Sequence, residues 1–141
     1  MLFRSALDRG KENYNRNKLG GTEHRFWAED VRKVLPRLIR RGEKFDAIIL
    51  DPPTFSRGNK GRRFRAEDHL EEVLSQVIPL CEKDASILLS TNCTTIDQRA
   101  LETIARTAVR IHRRGASYHH EPVGPDLRGP AVSNTLWIHL R

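Results

Sequence analysis

The chain has 141 residues, 38% of them apolar and 30% charged, enough for one domain with a core of its own. Lysine plus arginine outnumber aspartate plus glutamate by 25 to 18, and the formal charge of +7 favours a polyanionic partner such as nucleic acid. No apolar run approaches the roughly 20 residues of a membrane span, the opening MLFRSALDRG has no signal-peptide core, and two cysteines without a CxxC or a His/Cys cluster argue against a disulfide framework or a zinc site. The cytoplasm is the expected compartment.

In chain order, Phe3, Leu7 and Tyr14 fall near one face of a helix that should stop at Gly20 and Gly21. The segment HRFW, residues 24–27, reads as a short strand leading to Asp30. Val31, Val34, Leu35, Leu38 and Ile39 keep helical spacing up to Gly42, with Pro36 expected to kink or divide the helix. FDAIIL, residues 45–50, is almost continuously apolar, as expected of a parallel strand covered on both faces. Leu70, Val73, Leu74, Val77 and Cys81 form another helical stripe, and SILLST, residues 86–91, a second buried strand. Leu101, Ile104, Ala105 and Ala108 mark a further helix. VRIHR, residues 109–113, and TLWIHL, residues 135–140, read as closing strands around the Gly/Pro-rich EPVGPDLRGP. Strands alternating with helices predict a mostly parallel sheet in a layered α/β fold. No repeat or interior linker divides the chain.

In such a sheet ligands bind at the carboxyl ends of the strands. Asp51, Pro52 and Pro53 stand at one such end. The two prolines cannot donate to a ladder, so they stop pairing and stiffen the turn, holding Asp51 with little freedom. The plainer reading is a simple strand-ending turn. The ten residues SRGNKGRRFR follow, with Arg57, Lys60, Arg62, Arg63 and Arg65 interleaved with Phe64. Cations neutralise phosphates and an aromatic can stack on an unpaired base, so the loop reads as a substrate arm, against the alternative of a solvated charge run. His119 and His120 lack a third ligand at suggestive spacing and read as loop or strand-end histidines. RLIRRGEK is the solvated end of a helix.

FDAIILDPPTFSR resembles the fourth motif of class I S-adenosylmethionine-dependent methyltransferases, in the Asp-Pro-Pro-x-Phe form of the ribosomal RNA large-subunit (cytosine-C5) methyltransferase family. The resemblance extends through ALDRGKENYNRNKL, HRFWAEDVRKVL, ILLSTNCTT and GPDLRGPAVSNTLWIHL, in the family's order and spacing. It implies a Rossmann-like α/β methyltransferase sheet, mostly parallel with a carboxyl-terminal antiparallel hairpin and lacking its first two strands. It also implies S-adenosyl-L-methionine as cofactor and RNA, ribosomal above all, as partner. By the same resemblance Asp30 meets the adenine amino group and Val31 packs on its ring. Asp51 and the backbone of Pro52 lie beside the methyl-donating end and the target base. Pro53, Phe55, Arg57, Lys60, Arg62 and Arg63 contact the substrate, with Phe55 as a stacking wall. Thr54 stands where amine methyltransferases carry an aromatic, which points away from amine methylation.

Cys93 falls where the family keeps its nucleophile. By residue type alone a cysteine after a strand is a small buried apolar group. Cytosine carbon 5, however, becomes nucleophilic only when a thiolate adds to carbon 6. The family usually has Ser-Cys-Ser there, and this chain has Asn92-Cys93-Thr94. Cys81 reads as core.

The family's Gly-rich turn and ribose-binding acid have no counterpart here, so the chain is expected to be the carboxyl-terminal two-thirds of a catalytic domain, residues 1–141. Weak or no cofactor binding by these residues alone is expected, and micromolar binding in a titration would overturn that. The unpaired strand edge should be covered either by HRFW pairing with FDAIIL or by a second copy of the chain. Two other functions fit the residues: a noncatalytic RNA-binding or assembly module, and methylation of another substrate with Cys93 merely structural.

Overall fold

The computed structural model describes residues 2–19, 24–57, 63–122 and 133–141. The chain forms two compact units, Met1–Val34 and Leu35–Arg141. In the first, α1 (Leu2–Arg16) ends with Lys18 at φ 56°. The Lys18 N–H donates to the Asn15 carbonyl at 3.1 Å and the Leu19 N–H to the Tyr14 carbonyl at 2.8 Å. This paired closure satisfies carbonyls that the helix leaves open, with lysine at the position glycine usually takes. The expected stop at Gly20 and Gly21 lies outside the described residues. HRFW is irregular, not a strand. Its rings pack instead on α1, with Tyr14 edge-on to His24 at 4.7 Å and to Phe26 at 5.4 Å. The expected pairing of HRFW with FDAIIL is therefore not made.

The unit boundary falls within α2 (Val31–Arg40), which runs undivided through Pro36. Asp30 precedes it as the N-cap. At its far end Gly42 has φ 67°, and Gly42 and Glu43 close on the carbonyls of Ile39 and Leu38 at 3.0 and 3.2 Å. A Cβ at Gly42 would meet nothing within 4 Å. Gly42→Ala is thus expected to cost about 1 kcal/mol through the backbone alone, measured by thermal denaturation; an unchanged midpoint would rule out the left-handed turn.

Four strands form one sheet in the order β1-β4-β6-β5, from β1 (Phe45–Leu50), β4 (Cys81–Thr91), β5 (Ala116–His120) and β6 (Asn134–Leu140). β1 and β4 are parallel, and the β5–β6 hairpin adds antiparallel to β4. The helices α3 (Ala66–Val77) and α4 (Gln98–Ile111) pack on each other and cover the face of Ile87, Leu89, Leu136 and Ile138, all fully buried. From α3 come Leu70, Val73, Leu74 and Val77; from α4, Leu101, Ala105, Ala108 and Val109.

Three expectations are corrected. FDAIIL is not covered on both faces: β1 is the outermost strand among the described residues, only Leu50 is buried, and Ile49 is 74% exposed. VRIHR is not a strand, because α4 continues to Ile111 with Ala105, Ala108 and Val109 keeping the helical stripe; the strand begins at Ala116. Cys81 is core as expected but opens β4, after a 3-10 turn over Ile78–Leu80 ends the helical stripe.

Candidate active site

Leu50 lies opposite Leu89 in the parallel β1–β4 pair. Asp51, Pro52 and Pro53 therefore leave β1 at the same end of the sheet at which Asn92 and Cys93 leave β4. Parallel strands need a crossover, and here α3 supplies it on the way from one strand tip to the other. The DPP turn is tied to that helix, since the Ala66 N–H donates to the Thr54 carbonyl at 3.0 Å. Asp51 and Pro53 are exposed and Pro52 is half-buried.

Beyond the turn, β2 (Phe55–Arg57) and β3 (Arg63–Arg65) pair antiparallel, with Phe55 opposite Arg65 and Arg57 opposite Arg63. The basic segment is therefore a ribbon at both ends; Lys60 and Arg62 lie outside the described residues. Phe55 is 47% exposed, whereas Phe64 is 4% exposed and packs near His69, ring centroids 5.5 Å apart. Phe64 is thus an anchor of the ribbon rather than the stacking aromatic expected of it. Arg63 is exposed. Arg65 pairs with Glu67 at 2.6 Å and Asp68 at 3.6 Å, which makes it part of the α3 entrance.

Cys93 is buried, 4% exposed, in a turn built by its neighbours. Its N–H donates to Thr91 Oγ1 at 3.2 Å, and its carbonyl accepts from the Ile96 N–H at 3.1 Å. Asn134 of β6 donates to the Ile96 carbonyl at 2.8 Å, and Asp97 caps α4 by accepting from the Ala100 N–H at 2.7 Å. The sulfur lies 3.1 Å from Thr95 Oγ1 and 4.0 Å from Glu67 Oε1, and Thr95 donates its hydroxyl to Glu67. A hydroxyl has one proton. With that proton committed to Glu67, the thiol is the donor in the Cys93–Thr95 contact. The bond from Thr95, then that from Arg65, holds the Glu67 carboxyl below its ordinary range against the opposing effect of burial.

Sequence reasoning missed the Thr95–Glu67 pair, which bridges 28 positions. Its only trace is an acid in the first turn of a helix and a hydroxyl two residues past the cysteine. In Glu67→Gln the carboxylate no longer fixes the Thr95 proton, so Thr95 can donate to the sulfur. Carbamidomethylation of Cys93 at neutral pH is expected to be faster in that variant; an unchanged rate would show that the Thr95–Glu67 contact does not govern the thiol.

Asp30, in the first unit, accepts the Arg32 N–H and Nε on Oδ1 at 3.0 and 3.2 Å, and Arg32 Nη2 on Oδ2 at 2.8 Å. The Arg32 side chain, chiefly, keeps its carboxyl below the usual range despite desolvation. A carboxylate has about four acceptor positions, and three of them are taken by Arg32 among the described residues. Val31 beside it is exposed and offers an apolar surface for a ring.

The parallel pair, its crossover helix and the closing hairpin share the fold of part of a Rossmann-like methyltransferase sheet. SMU.776, described as a methyltransferase complexed with SAH, superposes with a TM-score of 0.77 at 17% identity, over 89% of this chain and 34% of that one. That likeness is one of fold. The SAM-dependent methyltransferase from Agrobacterium tumefaciens gives 0.61 at 25% identity, over 82% and 39%.

In sequence the chain is similar to ribosomal RNA large subunit methyltransferase I of Tolumonas auensis, 39% identical over 90 residues, which is 64% of this chain. The enzyme of that name from Escherichia coli O139:H28 is 36% identical over 89 residues. The matched segment spans 22% of the length of each of these relatives. No family model matches. Among the described residues no helix is long and apolar enough to cross a membrane.

Proposed function

We propose that these residues form part of the catalytic domain of a cytoplasmic, S-adenosylmethionine-dependent methyltransferase acting on ribosomal RNA, with 5-methylcytosine chemistry at Cys93. The observation that carries the reading is the β1–β4 register, which puts the Asp51 and Cys93 turns at the same end of adjacent strands. The likeness to ribosomal RNA large subunit methyltransferase I supports the choice of substrate.

Asp30 and Val31 would meet the adenine edge and face, as the resemblance implies, the Asp30 carboxylate accepting only from Arg32 among the described residues. The bound cofactor would supply the methyl group from its sulfonium. Cys93, as thiolate, adds to carbon 6 of cytosine and the ring electrons move to carbon 5, which takes the methyl group. Loss of the carbon 5 proton to a base then restores the ring double bond and expels the thiolate. Asp51 orients the base, the Pro52 backbone and Pro53 form the wall of the cleft, and Phe55 stacks on the ring. Arg57, Lys60, Arg62 and Arg63 neutralise phosphates. Such a base must leave its stack to be reached.

RNA containing 5-fluorocytosine tests the reading, because fluorine at carbon 5 blocks the proton loss that frees the enzyme. With S-adenosylmethionine present, the intact catalytic domain is expected to form a covalent protein–RNA adduct on the Cys93 peptide; its absence there sinks the cytosine chemistry.

A noncatalytic RNA-binding module is the second reading, favoured by the burial of Cys93 and its contact with Thr95. RNA binding without cofactor binding or adduct would support it. The edge of β1, unpaired among the described residues, suits pairing with a second copy of the chain, which sedimentation would show as a dimer.

A further inference from the structure

We propose that a cleft lined by Arg106, Arg110, Arg113, Arg114 and Tyr118, at the end of the sheet opposite Cys93, binds the phosphate backbone of an RNA strand. The cleft has a volume of about 350 Å³ between the end of α4 and the start of β5. Its position follows from Arg114, whose guanidinium donates to the carbonyls of Cys81 and Glu82 at 3.4 and 3.0 Å and to that of Lys83. Those residues begin β4, and Cys93 lies just past its end.

Arg106 and Arg110 are four residues apart and share one side of α4, and Arg113 follows just past its end, lining the same cleft. The four arginines divide into two kinds. Arg106 lies over the Tyr118 ring at 4.2 Å and pairs with Glu102 at 2.6 Å, and Arg114 is bound to β4. These two shape the walls. Arg110 and Arg113 are exposed, and among the described residues neither guanidinium has a carboxylate or carbonyl partner. Glu102 is already committed to Arg106 and to His120, 2.8 Å away.

A cation in the last turn of a helix offsets the helix dipole, but that role needs only one. The negative end is also blunted already: His112, Arg113 and Arg114 donate their N–H groups to the carbonyls of Val109 and Arg110. Arg113 makes this closure at φ 53°, where glycine would be less strained. What remains is a pair of guanidiniums without a carboxylate or carbonyl partner among the described residues, three positions apart in the chain and lining one open cleft. Two neighbouring arginines in one cleft suit a strand that runs past, contacting one phosphate after another. The choice of RNA as occupant rests on the proposed function; the cationic cleft does not.

Binding of a labelled oligouridylate without cofactor, measured by anisotropy across a salt series, tests the assignment. In Arg110→Gln/Arg113→Asn binding is expected to fall about tenfold, with the slope of log K against log salt shallower by about 2. Asparagine tolerates the left-handed backbone at position 113. Arg110→Lys/Arg113→Lys should keep most of the slope. Arg9→Gln/Arg40→Gln, with the same net charge, should retain more affinity than the cleft variant, and an equal loss would overturn the site. An unchanged slope in the cleft variant, or no RNA binding by the parent chain, overturns the proposal. So does tripolyphosphate binding that the cleft variant loses while RNA binding persists. The methyl-transfer reading is decided separately by the fluorocytosine adduct.

Discussion

Cys93→Ala is expected to abolish adduct formation with 5-fluorocytosine RNA and to lower methyl transfer to cytosine on the order of 10⁴-fold, as loss of a covalent nucleophile does elsewhere. No neighbour can substitute. Thr95 is a hydroxyl already committed to Glu67, and Cys81 is buried at the opposite end of β4 with its thiol pushed up to about 11 by desolvation. Alanine leaves the Thr91 and Ile96 backbone contacts of the turn in place, since these use the Cys93 N–H and carbonyl. Unfolding is therefore not the expected cause of the loss, and Cys93→Ser, which keeps a polar atom near Thr95, checks this. If Cys93→Ala retained normal methyl transfer, the cysteine would be structural and the chemistry would belong to another atom of the base.

Leu89→Ala should have the largest effect on stability. Leu89 is fully buried on β4, between Leu50 of β1 and Leu136 of β6. Removing a leucine side chain at such a site loses both transfer free energy and packing, about 3 to 4 kcal/mol. That is a large share of the stability of a domain this size, and the melting midpoint should drop by roughly 10 °C. Ile49→Ala, one residue before the tip of β1, is expected to cost less than about 0.5 kcal/mol because that side chain already faces solvent. The sequence pattern of FDAIIL gives Ile49 and Leu50 equal claims to the core; the contrast between these two positions is purely one of placement.

That contrast marks where sequence reading stops. Strand-end placement of Asp51 and Cys93 was legible because consecutive apolar strands joined by a helix run parallel almost by necessity, and parallel strands share their carboxyl ends. The covering of β1 was not legible, since an apolar run states what a strand can bury and not what lies beside it. VRIHR alternates apolar and charged residues like an edge strand, yet its Val109 belongs to the stripe begun by Leu101, Ala105 and Ala108. Only the longer window separates the two periods.

Phe64 could have been placed better: Arg63-Phe64-Arg65 alternates with period two, which already sets the ring opposite its charged neighbours, as the burial confirms. The capping role of Asp30 was also visible in principle, as an acid immediately before a helical stripe. The Arg65–Glu67–Thr95–Cys93 chain of contacts was not, because it joins a helix entrance to a distant turn through tertiary packing alone.

All of the chemistry assigned here requires β1 and β4 to run side by side in the same direction. Nuclear Overhauser contacts between backbone protons of the two strands measure this directly. Contacts linking the Ile48 region to Ile87 and the Leu50 region to Leu89 are expected. Contacts linking Phe45 to Leu89 and Leu50 to the start of β4 would mean antiparallel strands, with Asp51 and Cys93 at opposite ends and no shared cleft.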